Sequence, residues 1–378
     1  MSTPSTTAES ARPARSLLAV RLAVATVAVV ILAAACGGGG DDSSSTTVVV
    51  DDTQATTTST TVAPPTTTTS TSTTTTEAPA PASLPLTGQA VGDEAIALRP
   101  ALAVKIDNVS AARPQAGINQ ADIVYEERVE GGLTRLLAVF HSTDAPDLGP
   151  VRSARSTDVP LLTPLNQPLF AWSGANEAFA NLIRSVAIRD VGFEAQPSAY
   201  ERRAGRRAPS NLFTSTDALW SLTPVEGDMS PHAAFSYRAD GDPEPVGEAA
   251  SGVAVNYRGT TATHTWSPEV SGWVREQNDS PHVDTDGVQV APENVIVQFV
   301  QYRASGQVDS AGSEVPEAEL VGSGDVWVLM NGLVVEGTWS KSNVTSPTVY
   351  LDADGSEILL TPGSTWVLLA EPGRAELL

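Results

Sequence analysis

Cysteine is almost missing from this chain of 378 residues: Cys36 stands alone. An intrachain disulfide and a cysteine-built zinc or iron–sulfur cage are therefore excluded. Lysine is nearly as scarce, with Lys105 and Lys341 only, so arginine carries the basic side. The 22 basic residues face 44 acidic ones, for a net charge of −22 and a pI near 4.4. Phosphate-backbone binding needs a cationic stripe, and this balance sets nucleic acid aside as a partner. The four histidines, His141, His232, His264 and His282, are scattered. No G-x-S-x-G, H-E-x-x-H, Walker or dinucleotide fingerprint occurs, so no catalytic, metal or cofactor site is assigned. A loop starting at Asp284 fails as an EF-hand, because its twelfth position is Val295 where a Glu is required. No apolar run is long enough for a polytopic membrane protein.

What is present begins at the N-terminus. Arg12, Arg15 and Arg21 precede an apolar run at 22–32, followed by Ala33, Ala34, Ala35, Cys36 and four glycines. That is the layout of a secretory signal over 1–35. A cysteine directly after small residues resembles a bacterial lipobox, whose thiol is acylated and becomes the mature N-terminus. The lipobox usually has Leu three positions before the cysteine; here Ala33 holds that place and Leu32 is one further back. Cys36 is thus the expected lipidation site, with a lipid anchor on the extracytoplasmic face of the bacterial plasma membrane. An ordinary signal peptide and an uncleaved anchor are the alternatives. The segment 36–83 continues as Gly, Asp, Ser and then Thr/Pro, with no basic residue. It has too little apolar surface to offset the entropy of ordering and is expected to be a disordered tether. Its reach is about 40 Å as a coil and about 150 Å if stretched like polyproline. O-glycosylation and an unmodified linker are both open.

From residue 84 the pattern is globular. A polar, acidic, Gly/Pro-rich linker at 238–252 divides it into 84–237 and 253–378. In the first part, 101–106 and 169–172 are short apolar runs, and 122–129 alternates with period two, as does 134–141 more loosely. Glu130-Gly131-Gly132 joins the last two as a hairpin turn. Helices are expected at 177–185 and 214–222. In the second part, strand-like runs at 253–257, 262–266, 295–300, 325–330, 333–339, 348–351, 357–360 and 365–370 alternate with turn signals. The fold class is α+β: a mixed-sheet N-terminal part, then a mostly β C-terminal part.

Among polar residues, Gly149-Pro150-Val151-Arg152-Ser153-Ala154-Arg155 stands out. Guanidinium forks suit carboxylate or phosphate, and Arg135 follows the hairpin turn closely enough to join them. Arg135, Arg152 and Arg155 form either an anion-binding cleft or an internal ion-pair network with Glu126, Glu127 and Glu130. A second basic group, Arg202, Arg203, Arg206 and Arg207, is either a solvated surface or a cap on the same cleft.

Several motifs carry a family likeness. They are Lys105-Ile106-Asp107-Asn108, Arg113-Pro114-Gln115, Asp122-Ile123-Val124-Tyr125-Glu126, Gly131-Gly132-Leu133-Thr134-Arg135 and Gly149–Arg155. Pro281-His282, Glu336-Gly337-Thr338-Trp339 and Pro362-Gly363-Ser364-Thr365-Trp366 extend it, so that it covers about 84–371. The chain resembles the YerB-like lipoproteins, which carry a two-part domain of unknown function. Ser210 is a departure, since His is expected before Asn211. The resemblance implies an envelope lipoprotein and carries no enzymatic activity with it. In order of elements alone, without a strict motif match, the arginine segment is also similar to the LytR-CpsA-Psr enzymes, which transfer polyprenyl-pyrophosphate-linked polymers to the cell wall.

The leading expectation is a non-catalytic binding or interaction module in envelope assembly, with a cell-wall polymer or envelope protein as candidate partner. The alternative is a phosphotransferase-like enzyme that holds a polyprenyl-pyrophosphate-linked precursor through the arginines. Oligomeric state is left open.

Overall fold

The fold is given by a computed structural model that describes residues 83–222, 229–309 and 312–378. The signal segment, Cys36 and the tether as far as residue 82 lie outside the described residues.

Short β-forming runs set the architecture. In chain order the first ten are β1 (Leu102–Asp107), β2 (Ile123–Arg128), β3 (Thr134–Phe140), β4 (Leu169–Ala171), β5 (Arg189–Asp190), β6 (Glu201–Arg202), β7 (Leu212–Phe213), β8 (Glu248–Ala249), β9 (Gly252–Asn256) and β10 (Thr261–Ser267). Then come β11 (Gly272–Gln277), β12 (Ser280–Pro281), β13 (Asn294–Phe299), β14 (Tyr302–Val308), β15 (Glu314–Ala318), β16 (Gly322–Met330), β17 (Leu333–Lys341), β18 (Val349–Asp352), β19 (Thr365–Ala370) and β20 (Ala375–Leu377). The α-helices are short: α1 (Glu94–Leu98), α2 (Asp158–Leu162), α3 (Glu177–Arg184) and α4 (Thr216–Trp220). Asn176 caps α3 by accepting from Phe179 N at 2.9 Å, and Ser215 caps α4 through Ala218 N at 3.1 Å. This is the α+β mixture expected, with a mixed-sheet first part and a strand-rich second part. The run 357–360 differs: it makes only isolated bridges. Its amides split between two neighbours, Ile358 N bonding Tyr350 O and Leu360 N bonding Ser236 O, so no ladder with one partner can grow.

The principal sheet has the order β18-β17-β16-β13-β19-β2-β3-β1-β4-β5, with β8 also on β17. β2 and β3 pair antiparallel around the Glu130–Gly132 turn, with Ile123 opposite Val139 and Arg128 opposite Thr134. β19 lies parallel to β2, with Trp366 beside Val124 and Leu368 beside Glu126, and β13 lies parallel to β19. One sheet therefore runs through strands from both sides of the 238–252 segment. A second sheet, β12-β11-β10-β9-β20, supplies Val253, Val255, Ala262 and Trp273 to the core on one face. Helices α2 and α3 cover the other face with Val159, Leu161, Leu162, Ala180 and Ile183.

Period-two alternation sorts the central strands between these two cores. Ala103, Ile123, Tyr125, Leu137 and Val139 point to the helix side. Leu102, Val104, Ile106, Val124, Leu136 and Ala138 point to the second sheet.

Candidate functional site

The alternation continues to one end of the central strands, where the residues become polar. Lys105, Asp107, Glu127 and Arg135 follow the helix-side positions, while Asn108, Glu126 and Thr134 follow the opposite ones. Each set is buried and each builds its own network.

On the helix side, Lys105 Nζ bonds Glu127 Oε1, and reaches Asp158 Oδ1 at 2.6 Å. Asp158 also accepts from Arg155 N at 2.7 Å. The Arg155 guanidinium is fixed on Glu130, with Nε and Nη2 donating to the two carboxylate oxygens at 2.8 Å. Arg135 shares Glu130 at 4.0 Å and donates to Ser153 O at 3.0 Å. Arg152 Nε donates to Asp107 Oδ2 at 3.2 Å, and buried Ser210 donates its hydroxyl to the same oxygen at 2.7 Å. The structure thus brings Arg135, Arg152 and Arg155 together. Four cations and four carboxylates alternate: Lys105, Arg135, Arg152 and Arg155 against Asp107, Glu127, Glu130 and Asp158. Arg135 is pushed down to about 10 by burial and then by Arg155 and Arg152, a measure of how close the three charges lie. Burial pushes the Glu127 carboxyl up, against the pull of Lys105. Arg152 is the open member, with 25% of its side chain exposed against 7% for Arg155. Of the three acids expected to pair with the arginines, only Glu130 does so; Glu127 takes Lys105, and Glu126 points to the other face.

On that other face Arg275 Nη2 holds both oxygens of Glu126, at 2.9 and 2.8 Å. Arg275 Nη1 lies 2.7 Å from His282 Nδ1, and His282 Nε2 lies 2.8 Å from Gln115 Oε1. An arginine can only donate, so Nδ1 accepts and the neutral ring carries its proton on Nε2. Burial and Arg275 hold His282 well below the usual histidine range, which agrees with that tautomer. Gln115 Nε2 donates to Asn108 Oδ1 at 3.0 Å, Asn108 Nδ2 donates to Thr134 Oγ1 at 2.7 Å, and Thr134 donates to Glu126 at 2.9 Å. Trp366 Nε1 closes the ring of contacts on Glu126 at 3.1 Å.

Arg113, within electrostatic reach of Arg275 and Glu126, is half-buried, and its shielded Nε has no hydrogen-bond partner among the described residues. The second basic group folds over the same segment. Arg206 donates to the carbonyls of Ala112 and Pro114 at 2.8 and 2.6 Å, on either side of Arg113. An apolar groove of about 790 Å³ has Ser156, the residue after Arg155, with Val159, Leu182, Val186, Leu320 and Val344 among its walls.

Sequence reasoning located the helix-side arginines and overlooked the Glu126–Arg275–His282 network. A signal was present. Adjacent Glu126 and Glu127 in one strand must face opposite sides, and two buried acids require two separate cations.

Residues 86–230 match the N-terminal domain, and residues 253–367 the C-terminal domain, of a family described as protein of unknown function (DUF3048). A relative named "Putative lipoprotein YerB", from Bacillus subtilis (strain 168), is 27% identical over 290 residues, covering 75% of this chain and 84% of its own length. The crystal structure of YerB protein from Bacillus subtilis matches with a TM-score of 0.68 at 24% identity, covering 78% of this chain and 99% of that one; this is a likeness of fold.

Proposed function

This chain belongs to the DUF3048 family of YerB-like proteins, and we propose that it is a lipid-anchored binding module working in bacterial cell-envelope assembly. The name of the Bacillus relative supports the lipoprotein part of this reading. In it, Cys36 carries the lipid, the Thr/Pro-rich segment is the tether, and the body at 84–378 meets a cell-wall polymer or an envelope protein on the extracytoplasmic face.

One observation carries binding over catalysis: Arg155 is committed to Glu130 by two charge-assisted bonds, and Arg135 shares the same acid. Groups so engaged hold the fold, whereas a transferase needs its guanidiniums free for the charge that develops in the reaction. Arg152 is the member of the three that keeps an open side for a ligand. The test is a pull-down from crosslinked envelope with the full chain, wild type beside Arg152→Ala. A partner captured by the wild type and lost by the variant is expected. Equal capture by both removes Arg152 from the binding face.

The groove favours a second reading. Ser156, the residue after Arg155, is one of its wall residues, so an apolar chain lying there passes the end of the arginine turn. That is the placement a phosphotransferase using a polyprenyl-pyrophosphate-linked substrate requires. Loss of transfer activity in envelope extracts on Arg152→Ala, against no change on Arg374→Ala, is the result that favours it.

A further inference from the structure

We propose that Arg113, Arg202, Arg206 and Arg207 form a preorganised recognition surface for the phosphate group of an anionic ligand. The inference rests on the binding-module reading and names its ligand chemistry and its surface.

Charge sets this surface apart. Twelve of the described cations have a carboxylate within 4.0 Å. Arg113, Arg189, Arg202, Arg206, Arg207, Arg374 and Lys341 have none among the described residues. In a chain of net charge −22, an arginine without an acid beside it is the exception, and four of these seven gather at one place. The loop between β6 and β7 carries Arg206 and Arg207, β6 carries Arg202, and the two bonds from Arg206 tie this loop to the backbone around Arg113. Asp147 and Glu201 are the nearby acids, and both are taken by Arg203.

Two of these side chains are also held rigidly. Arg202 is stacked over Phe193 at 5.2 Å and bonded to Asn211 Oδ1 at 2.9 Å. Arg203 and Arg206 lie over the Phe213 ring, at 4.0 and 5.3 Å. Phe213 is itself fully buried. Stacked, hydrogen-bonded guanidiniums have already lost the rotamer freedom that an exposed arginine gives up on binding, so their charge and remaining N–H donors are held in place for an oxyanion. Arg113 adds a donor whose shielded Nε has no hydrogen-bond partner among the described residues, which is the condition a bound anion relieves. Ser210, at the end of the same loop, reaches Asp107, the acid that holds Arg152. The surface therefore continues into the open side of the arginine cluster.

Arg202 and Arg206 held in place, with Arg113 and Arg207 close by in the same segments, fit a discrete phosphate better than a flat membrane. The negative charge of the whole body also opposes approach to an anionic lipid surface.

The experiment is calorimetric titration of the full chain, purified in uncharged detergent, with inorganic pyrophosphate at low ionic strength. Sedimentation with phosphatidylglycerol vesicles runs in parallel. Wild type is expected to bind pyrophosphate. Arg113→Gln and Arg207→Gln are each expected to weaken binding by about tenfold or more, the loss that accompanies one charge-assisted hydrogen bond. Arg206→Lys, which keeps charge and loses the fork, is expected to weaken it too. Arg374→Gln, a carboxylate-free arginine elsewhere, is expected to change nothing. Arg207 is exposed and its side chain has no hydrogen-bond or ion-pair partner among the described residues, so its variant is expected to stay folded and keeps the test valid if Arg113→Gln does not fold. No binding by wild type, or equal binding by all variants, overturns the proposal. Vesicle binding without pyrophosphate binding overturns it in favour of a lipid surface. If Arg152→Ala abolishes pyrophosphate binding while the four-arginine variants retain it, this surface falls and the binding-module reading stands.

Discussion

Glu126 and Arg275 are 149 residues apart in the chain, yet they close an ion pair in which neither side chain has any solvent exposure. Glu126 comes from β2 of the principal sheet and Arg275 from β11 of the second sheet, so the pair bolts one sheet to the other. The carboxylate also receives Thr134 and Trp366, so its oxygens are well supplied with donors. A buried pair of this quality contributes little net stability over an apolar pair of the same volume, but breaking it strands a charge.

Arg275→Met is accordingly expected to destabilise the body by about 3–5 kcal/mol, through the unpaired Glu126 carboxylate. Adding Glu126→Gln to Arg275→Met should restore part of that loss, since the stranded charge is gone. Urea unfolding of the two single variants and the double variant measures it. Additive losses would show that the pair is not coupled.

The three clustered arginines should separate by role. Arg155→Ala leaves Glu130 buried with only the distant Arg135, and a loss of about 3 kcal/mol or more is expected. Arg152→Ala removes the member with the most exposed side chain and should cost about 1 kcal/mol, because Ser210 still donates to Asp107. Thermal denaturation of both variants decides. Equal losses would place Arg152 in the structural set with the others.

Acid should destabilise the protein through its histidines. Burial lowers His141 from 6.5 to about 4, and it holds His264 and His282 well below the usual range. A folded-state pKa below the unfolded one means that the unfolded chain takes up protons first. The contribution is thus complete above pH 6.5 and is lost as pH falls from there toward 4. Asp122 works the other way: burial raises it to about 6, so its carboxyl favours the fold below pH 3.8 and loses that contribution as pH rises to 6. His264 packs on the Trp366 ring and neither of its ring nitrogens has a hydrogen-bond partner among the described residues. His264→Phe should therefore flatten the fall in stability between pH 6.5 and 4 while changing stability at pH 7.5 by less than about 1.5 kcal/mol. An unchanged acid limb in this variant would contradict the assignment.

The anchor reading has a direct test. Cys36→Ser should abolish labelling by an acyl probe and either release the protein into the medium or leave it as precursor. Retained label would remove Cys36 as the lipid site. Deleting 43–80 should leave the melting temperature of the body unchanged, because a polar segment of this composition buries no core. A fall of several degrees would show that the segment packs on the body.

Much of the site was readable along the chain. Period-two alternation in 122–129 and 134–141, with glycines between them, predicts the hairpin that carries Glu126, Glu127 and Arg135. The Gly149–Arg155 turn predicts two arginines close to it. These are local features, set by backbone sterics and by which side of a strand a residue occupies. The run 357–360 has the same local appearance as its neighbours and is no strand, because its amides are divided between two segments.

Alternation, turns, the scarcity of cysteine and lysine, and the clustering of arginine are all written into the order of residues along the chain. The place of β19 between β13 and β2, the hold of Arg155 rather than Arg152 on Glu130, and the reach of Arg275 to Glu126 follow instead from the packed fold. Parallel neighbours need no turn between them, so no local signal marks their pairing. A buried charge takes the partner that the packed sheets bring within hydrogen-bonding distance, and that distance is a property of the assembled core.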